Sequence, residues 1–297
     1  MVKITVVGHI VLDTISSDLM NTTSIGGPPI YAGLTARNMG GEVTLLTKYG
    51  KDLPEENILW LLRNQINIPD GARSTTHPTT RFMINQTLKS RYLQLKARCE
   101  DIIYIGDEQK GDAAIVSPVA REVNIAFLSN LRQIFETIYL DPQGFIRRFR
   151  SDGRCFLGRI NKNVLKYADI LKMDKDEAYN ITGSKDYFKA LQKTFENGVK
   201  ISIYTRGSEG ILLRCNKGLF RIPVVKKVKI LDMTGLGDIF AGAFTFTYLK
   251  DNDPIWAGAV ATAASSLALD KISVSKIPEM DIVTEVAEET MEKIYKI

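Results

Sequence analysis

The chain has 297 residues, is 44% hydrophobic and 25% charged, and carries a net charge of +5, which suits one large or two small soluble globular domains. Its lysines and arginines are scattered, and the densest stretch is "KKVK" at 226–229. That spread argues against a nucleic-acid partner, which calls for a concentrated basic footprint. Cys99, Cys155 and Cys215, with His9 and His77, form no metal-ligand spacing, so a structural zinc site is not expected and the thiols suit a reducing compartment.

The N-terminal "KITVVGHIVLD" reads as one buried strand bending at Gly8. It turns polar too soon for a signal peptide. "SIGGPPIYAGLTARNMGG" reads as a turn at Gly26 and Gly27, a helix opened by prolines and a stop at Gly40 and Gly41. "EVTLLTKYG" is a second strand and "LPEENILWLLRNQ" a second helix. This alternation argues for a mostly parallel sheet covered by helices. It breaks at residues 79–97, where β-prone runs flank a polar turn and read as a hairpin. Its Arg81, Arg91 and Tyr92 fit either solvent or a ligand. "AAIVSP" and "TIYLDPQG" resume as strands, the second running out at Asp141. A helix, a short strand ending near Asp174 and a helix closed by Gly183 follow. "VKISIYTRGSEGILLRC" is strand, glycine turn and strand, and "GLFRIPVV" continues as β structure. Residues 237–250, 254–269 and 284–297 read as helices. The longest apolar run, 257–269, is too short to span a bilayer, so a cytoplasmic protein without a membrane partner is expected. Neither a repeat nor a linker is evident, and one domain over 1–297 is expected.

The chemistry concentrates in "DMTGLGDIFAGAF", residues 232–244. A helix N-terminus offers unpaired N–H groups and the positive end of the macrodipole. Gly235, Leu236 and Gly237 can present successive amides to an anion such as phosphate. Asp238, in the first turn, can then take a proton from an attacking hydroxyl. Together these suit phosphoryl transfer. On shape alone, a plain helix start with a stabilising acid fits the same residues. His9 reads as a hydrogen-bonded structural histidine.

These residues resemble the C-terminal signature of the ribokinase (PfkB) family of carbohydrate and nucleoside kinases, Asp-Thr-x-Gly-Ala-Gly-Asp. Asp232, Thr234, Gly235, Gly237 and Asp238 fit it, while Met233 and Leu236 replace the usual Thr and Ala. "VVGHIVLD", "GGPPIYAGLTARNMG", "ADILKMDKDEAYNITG" and "YTRGSEGILL" resemble further family segments, so the likeness spans nearly the whole chain. It implies a three-layer α/β/α domain with a mostly parallel sheet and a small β lid at about 79–97, with a contribution from about 12–24. It implies an ATP-dependent kinase using Asp238 as base. Asp13, Gly26, Gly27 and Tyr31 would lie at the acceptor. Thr205, Arg206, Gly207 and Gly210 would lie at the nucleotide. Glu177 and Asp174 would place Mg²⁺ through water, and a monovalent cation is a further candidate cofactor. Asp174 replaces the family's Asn and also reads as a helix N-cap. Tyr31 replaces a sugar-binding Asn in a context similar to inositol-kinase-like members. That favours a six-carbon sugar or myo-inositol, with a nucleoside as the alternative acceptor and a catalytically silent ligand-binding relative as a further one. Monomer and homodimer stay equally open.

Overall fold

Runs such as Ile4 to Val7, Ala113 to Val116 and Ile170 to Met173 are buried residue after residue. Only strands covered on both faces show this pattern, which parallel sheets require. The structure is a computed structural model and describes residues 1–17, 21–86, 91–103, 110–226 and 228–297. Its main sheet has ten strands in the order Tyr295–Lys296, Gly218–Ile222, Ile211–Cys215, Ile201–Thr205, Ile170–Met173, Thr137–Leu140, Ala113–Val116, Lys3–Val7, Glu42–Leu46 and Ile66–Asn67. From Ile201–Thr205 to Ile66–Asn67 all pairs are parallel; the remaining strands join antiparallel at one edge.

Helices cover both faces, giving three layers. Pro28–Asn38, Leu236–Asp251, Pro254–Leu267 and Met280–Met291 bury Ile30, Phe244, Val260 and Val283 in one core. Ile125–Ile134, Lys175–Thr182 and Tyr187–Glu196 bury Leu128, Ile181 and Leu191 in the other. Small residues set the spacing. A side chain on Gly242 would meet the Ala32 carbonyl at 2.4 Å, so glycine lets Leu236–Asp251 lie directly on Pro28–Asn38 despite its helix cost.

A second, four-stranded sheet stands beside the main one, in the order Asn21–Gly26, Val11–Ser17, Thr80–Gln86 and Arg91–Ala97. Residues 18–20 and 87–90 and the side chain of Arg91, on which parts of the expected lid fall, lie outside the described residues. Val11, Ile15, Phe82 and Ile84 are buried with Val119 and Ala120, and Leu93, Leu95 and Phe149 pack against them. His9 ties the two sheets together. Its Nε2 donates to the Glu100 carbonyl (2.8 Å), so its Nδ1 accepts the Thr80 hydroxyl (2.7 Å). Burial holds its pKa below the usual range, which keeps that neutral tautomer.

Several segments differ from the sequence reading, three of them near the sheets' edges or crossings. The run 3–13 is two strands in two sheets, not one, because the chain crosses over at Gly8. A side chain there would sit 2.7 Å from the Ser117 carbonyl. The last helix begins earlier, at Met280, and the chain ends as an edge strand, with Phe220 opposite Lys296. The hairpin of Arg147–Phe149 and Cys155–Leu157 was not expected. It supports the small sheet, with Leu95 N–H donating to the Gly153 carbonyl at 2.9 Å.

Candidate active site

The parallel strands end on one edge of the main sheet, where loops leave an open crevice. A cleft of about 630 Å³ opens there, between that edge and the small sheet. Asp13, Gly27, Tyr31, Asp174, Glu177, Thr205, Gly207, Gly210, Gly235, Leu236, Gly237 and Asp238 all line it. Residues from distant parts of the chain are thus brought to one site. Two candidates are not on its wall. Gly26 lies behind Asp13, where a side chain would be 2.7 Å from Asp13 Oδ2. Arg206 pairs with Glu209 and lies 5.2 Å over the Tyr187 ring.

Gly235 starts helix Leu236–Asp251 with φ +77°, a conformation that favours glycine. The first described turn closes with Asp238 N–H donating to the Gly235 carbonyl (3.1 Å). The amides of Gly235, Leu236 and Gly237 precede it at the positive helix end. Tyr31 supports this turn from below. A side chain at Gly235 would come within 2.4 Å of the Tyr31 ring, and Tyr31 is 1% exposed. Its ring is therefore packed on the turn and has almost no free face. Burial, followed by repulsion from Asp13, Asp232 and Asp238, raises its pKa well beyond the usual phenol range.

Asp238 is buried and accepts a hydrogen bond from the Ser117 hydroxyl (3.0 Å), which in turn accepts one from the Gln143 amide (3.2 Å). Beside it lies an ion pair that sequence reasoning missed, Lys172 with Asp141 at 2.5 Å. Burial, then repulsion from Asp141, pushes the Asp238 pKa up to about 7; Lys172 and Ser117 oppose the rise. Glu177 is pushed up to about 8 by burial and by Asp141, against Lys172. Burial alone would lower Lys172, but Asp141 and Glu177 hold it above its ordinary value. A carboxyl group poised near 7 is suited to general-base work.

Asp174 caps helix Lys175–Thr182 by accepting from Glu177 N–H (2.8 Å), while Glu177 Oε2 accepts from Asp174 N–H (2.8 Å). The N-cap reading and a place on the cleft wall are both met. Among the described residues there is no cluster of three or more ligand side chains that could enclose a metal ion. Glu177, held protonated by burial, is a carboxyl that a nearby divalent cation would ionise. The donor set thus fits an ion that keeps most of its own waters.

The family comparison bears directly on this arrangement: residues 3–280 match the pfkB family carbohydrate kinase. The chain belongs to the pfkB family. A cytidine kinase of Thermococcus kodakarensis is 29% identical over 266 residues, covering 84% of this chain and 90% of that one. The ribokinase structure from Thermotoga maritima aligns with TM-score 0.76 at 21% identity, over 97% of this chain and 100% of that one. A pyrophosphate-dependent kinase in the ribokinase family, complexed with a pyrophosphate analog and myo-inositol, aligns with TM-score 0.77 at 19% identity, over 92% and 98%. As a pfkB-family member the chain is an ATP-dependent carbohydrate or nucleoside kinase. No helix among the described residues is long and apolar enough to cross a membrane.

Of the residues missed in the sequence, Lys172 left a signal: it is the one charge in the buried run "ILKM". Asp141 was visible only as a strand end. Ser117 and Gln143 left none, since their roles depend on which strands become neighbours.

Proposed function

We propose that this kinase phosphorylates a hydroxyl of a nucleoside. The observation that carries this reading is the lining of the acceptor end. Val11, Phe82, Ile84, Leu93 and Val119 line the cleft there, with Asp13 as the acid among them. Asp13 lies opposite Phe82 in the register of the small sheet. One carboxylate can hold sugar hydroxyls, and the apolar wall beside it suits the flat face of a base. A polyol with a hydroxyl on every carbon would press several of them against that wall unpaired, at ~1–3 kcal/mol each. Gln143 and Arg147 supply polar groups on the same cleft. The likeness to a cytidine kinase over 84% of the chain supports the same acceptor class. The six-carbon sugar or myo-inositol favoured by the sequence rested on Tyr31 standing for a sugar-binding Asn in an inositol-kinase-like context; the Tyr31 ring is packed against Gly235 and leaves little free face for a polyol.

In this mechanism Asp238 takes the proton as the acceptor oxygen attacks the γ-phosphorus of ATP. The new O–P bond forms as the bond to the β-phosphate oxygen breaks, and ADP leaves. The amides of Gly235, Leu236 and Gly237 stabilise charge on the phosphoryl group in flight. Lys172, between Asp141 and the helix start, limits the rise of the Asp238 pKa. Val224, Val228, Ile230 and Leu269 line the donor end beside Gly207 and Gly210, and give the adenine an apolar slot. Glu177 and Asp174 would hold Mg²⁺ through its waters. When bound, that ion supplies charge neutralisation on the phosphates.

The test is kcat/KM measured side by side for cytidine, uridine, adenosine, ribose, fructose and myo-inositol, with ADP release as the readout. A nucleoside is expected to exceed ribose by ~10–200-fold, the range for discrimination by apolar contact. Myo-inositol or fructose as the best acceptor would return the protein to the polyol reading.

A further inference from the structure

The turn that carries the anion hole is held from behind by a buried cation belonging to the chain itself. Lys276 closes the short 3₁₀ turn Ser273–Lys276 and is 0% exposed. Its ammonium donates to the carbonyl oxygens of Asp232 (2.9 Å) and Thr234 (2.8 Å) and lies 2.6 Å from Asp232 Oδ2. The other carboxylate oxygen of Asp232 accepts from Thr234 N–H at 2.8 Å. These contacts fix the chain on the three residues just before Gly235, where the anion hole begins.

Desolvating an ammonium costs several kcal/mol and is tolerated only where oxygens replace its water. Backbone carbonyls and a carboxylate at such distances are also the ligands that replace the hydration shell of a potassium or ammonium ion. A monovalent cation is among the cofactors implied by the family resemblance. These oxygens do not fit it as ligands, because the Lys276 ammonium already occupies the point at which they converge, and two cations there would repel.

We propose that Lys276 is a positioning residue that acts as a tethered cation: it holds the Asp232–Thr234 carbonyls in place of a free ion, and it makes turnover independent of monovalent cations. The link to catalysis is geometric. Those carbonyls belong to the peptide units leading into Gly235, so their placement sets the direction of the following amides. A misplacement of the order of 1 Å at reacting groups can cost ~10²-fold in rate.

The first experiment needs no variant. Wild-type kcat is measured in potassium, sodium and choline chloride at matched ionic strength, with saturating ATP and acceptor. Equal values are expected, and stimulation by potassium overturns the proposal. The second uses Lys276→Ala, which leaves the three oxygens and removes the ammonium. In choline chloride its kcat should fall by up to ~10²-fold, and potassium or ammonium should restore much of the loss while choline does not. Thermal melts in the same salts show whether the chain is folded. A folded Lys276→Ala that keeps wild-type kcat in choline overturns the proposal, as does one whose loss is equal in every salt. If Lys276→Ala does not fold, the wild-type salt comparison still decides, and thallium-205 NMR on the wild type adds to it. Ordered thallium bound at this turn would contradict occupation by Lys276.

Discussion

Replacing Asp238 by Asn separates two consequences of one buried carboxylate. The amide keeps the size of the side chain and can still meet Ser117, but it cannot accept the acceptor's proton. Loss of a general base costs ~10²–10⁴ in rate, or ~2.7–5.4 kcal/mol at 1.36 kcal/mol per decade. Donor affinity should be nearly unchanged, since the amides proposed to hold the phosphates remain. Stability should move the opposite way. The Asp238 pKa rises from 3.8 to about 7 on folding, a shift of about three units worth ~4 kcal/mol. Because the folded state binds this proton more tightly, the wild type has the full contribution below about pH 4 and loses it as pH rises through about 7. The Asn variant has no such slope at this position. Its advantage in unfolding free energy over the wild type should therefore grow from pH 4 to 7 and level off above that. Urea unfolding at several pH values, together with initial rates of ADP release, measures both quantities. A variant that keeps more than about a third of wild-type kcat, where chemistry limits turnover, lies outside the general-base range and removes the role. A stability difference that does not change between pH 5 and pH 8 would show that the carboxyl group is not perturbed in the folded state.

Three other outcomes follow from the same geometry. Lys172→Met leaves Asp141 buried without its partner, which should cost ~3–5 kcal/mol in unfolding free energy, and it removes the charge that holds Asp238 down, so the acidic limb of kcat/KM should shift to higher pH; an unshifted limb would contradict the coupling. Gly235→Ala places a methyl group 2.4 Å from the Tyr31 ring at φ +77°, adding ~1–2 kcal/mol of backbone cost; kcat should collapse while circular dichroism stays native, and an active variant would show that the turn can relax. Shortening the hairpin at residues 84–93 to a Gly-Ser turn should raise acceptor KM and the share of ATP lost to water, whereas unchanged values would make the small sheet mere decoration.

What the sequence disclosed depended on how local each signal was. Gly235, Gly237 and Asp238 are nearly consecutive in sequence, so the helix start and the proposed anion hole are carried by one local motif. The alternation of strand and helix patterns gave the layered fold for the same reason. The Lys172–Asp141 pair was not legible, because its members stand on strands whose adjacency is set by the sheet order. The break at Gly8 was hidden inside a continuous β-branched run, since residues that suit one sheet suit the other equally well. Tyr31 was read as facing the acceptor from its position in a motif. Whether a ring faces ligand or backbone depends on the depth of its packing against Gly235, which a motif does not encode. Lys276 resembles an ordinary surface lysine until the Asp232 turn folds over it.

Asp13 belongs to the small sheet, whereas Asp238 and the anion hole belong to the main body. The chain enters the small sheet just after Gly8, leaves it at Gly26 and Gly27 and returns at Thr80, so Asp13, the proposed anchor of the acceptor, is strung between two short connections. If the small sheet rocks as a unit, grasping the acceptor and shutting out water become a single event. On the proposed mechanism, ATP is then held with the base idle, and transfer begins only once an acceptor pulls Asp13 inward. The order of events would be written into the path of the chain.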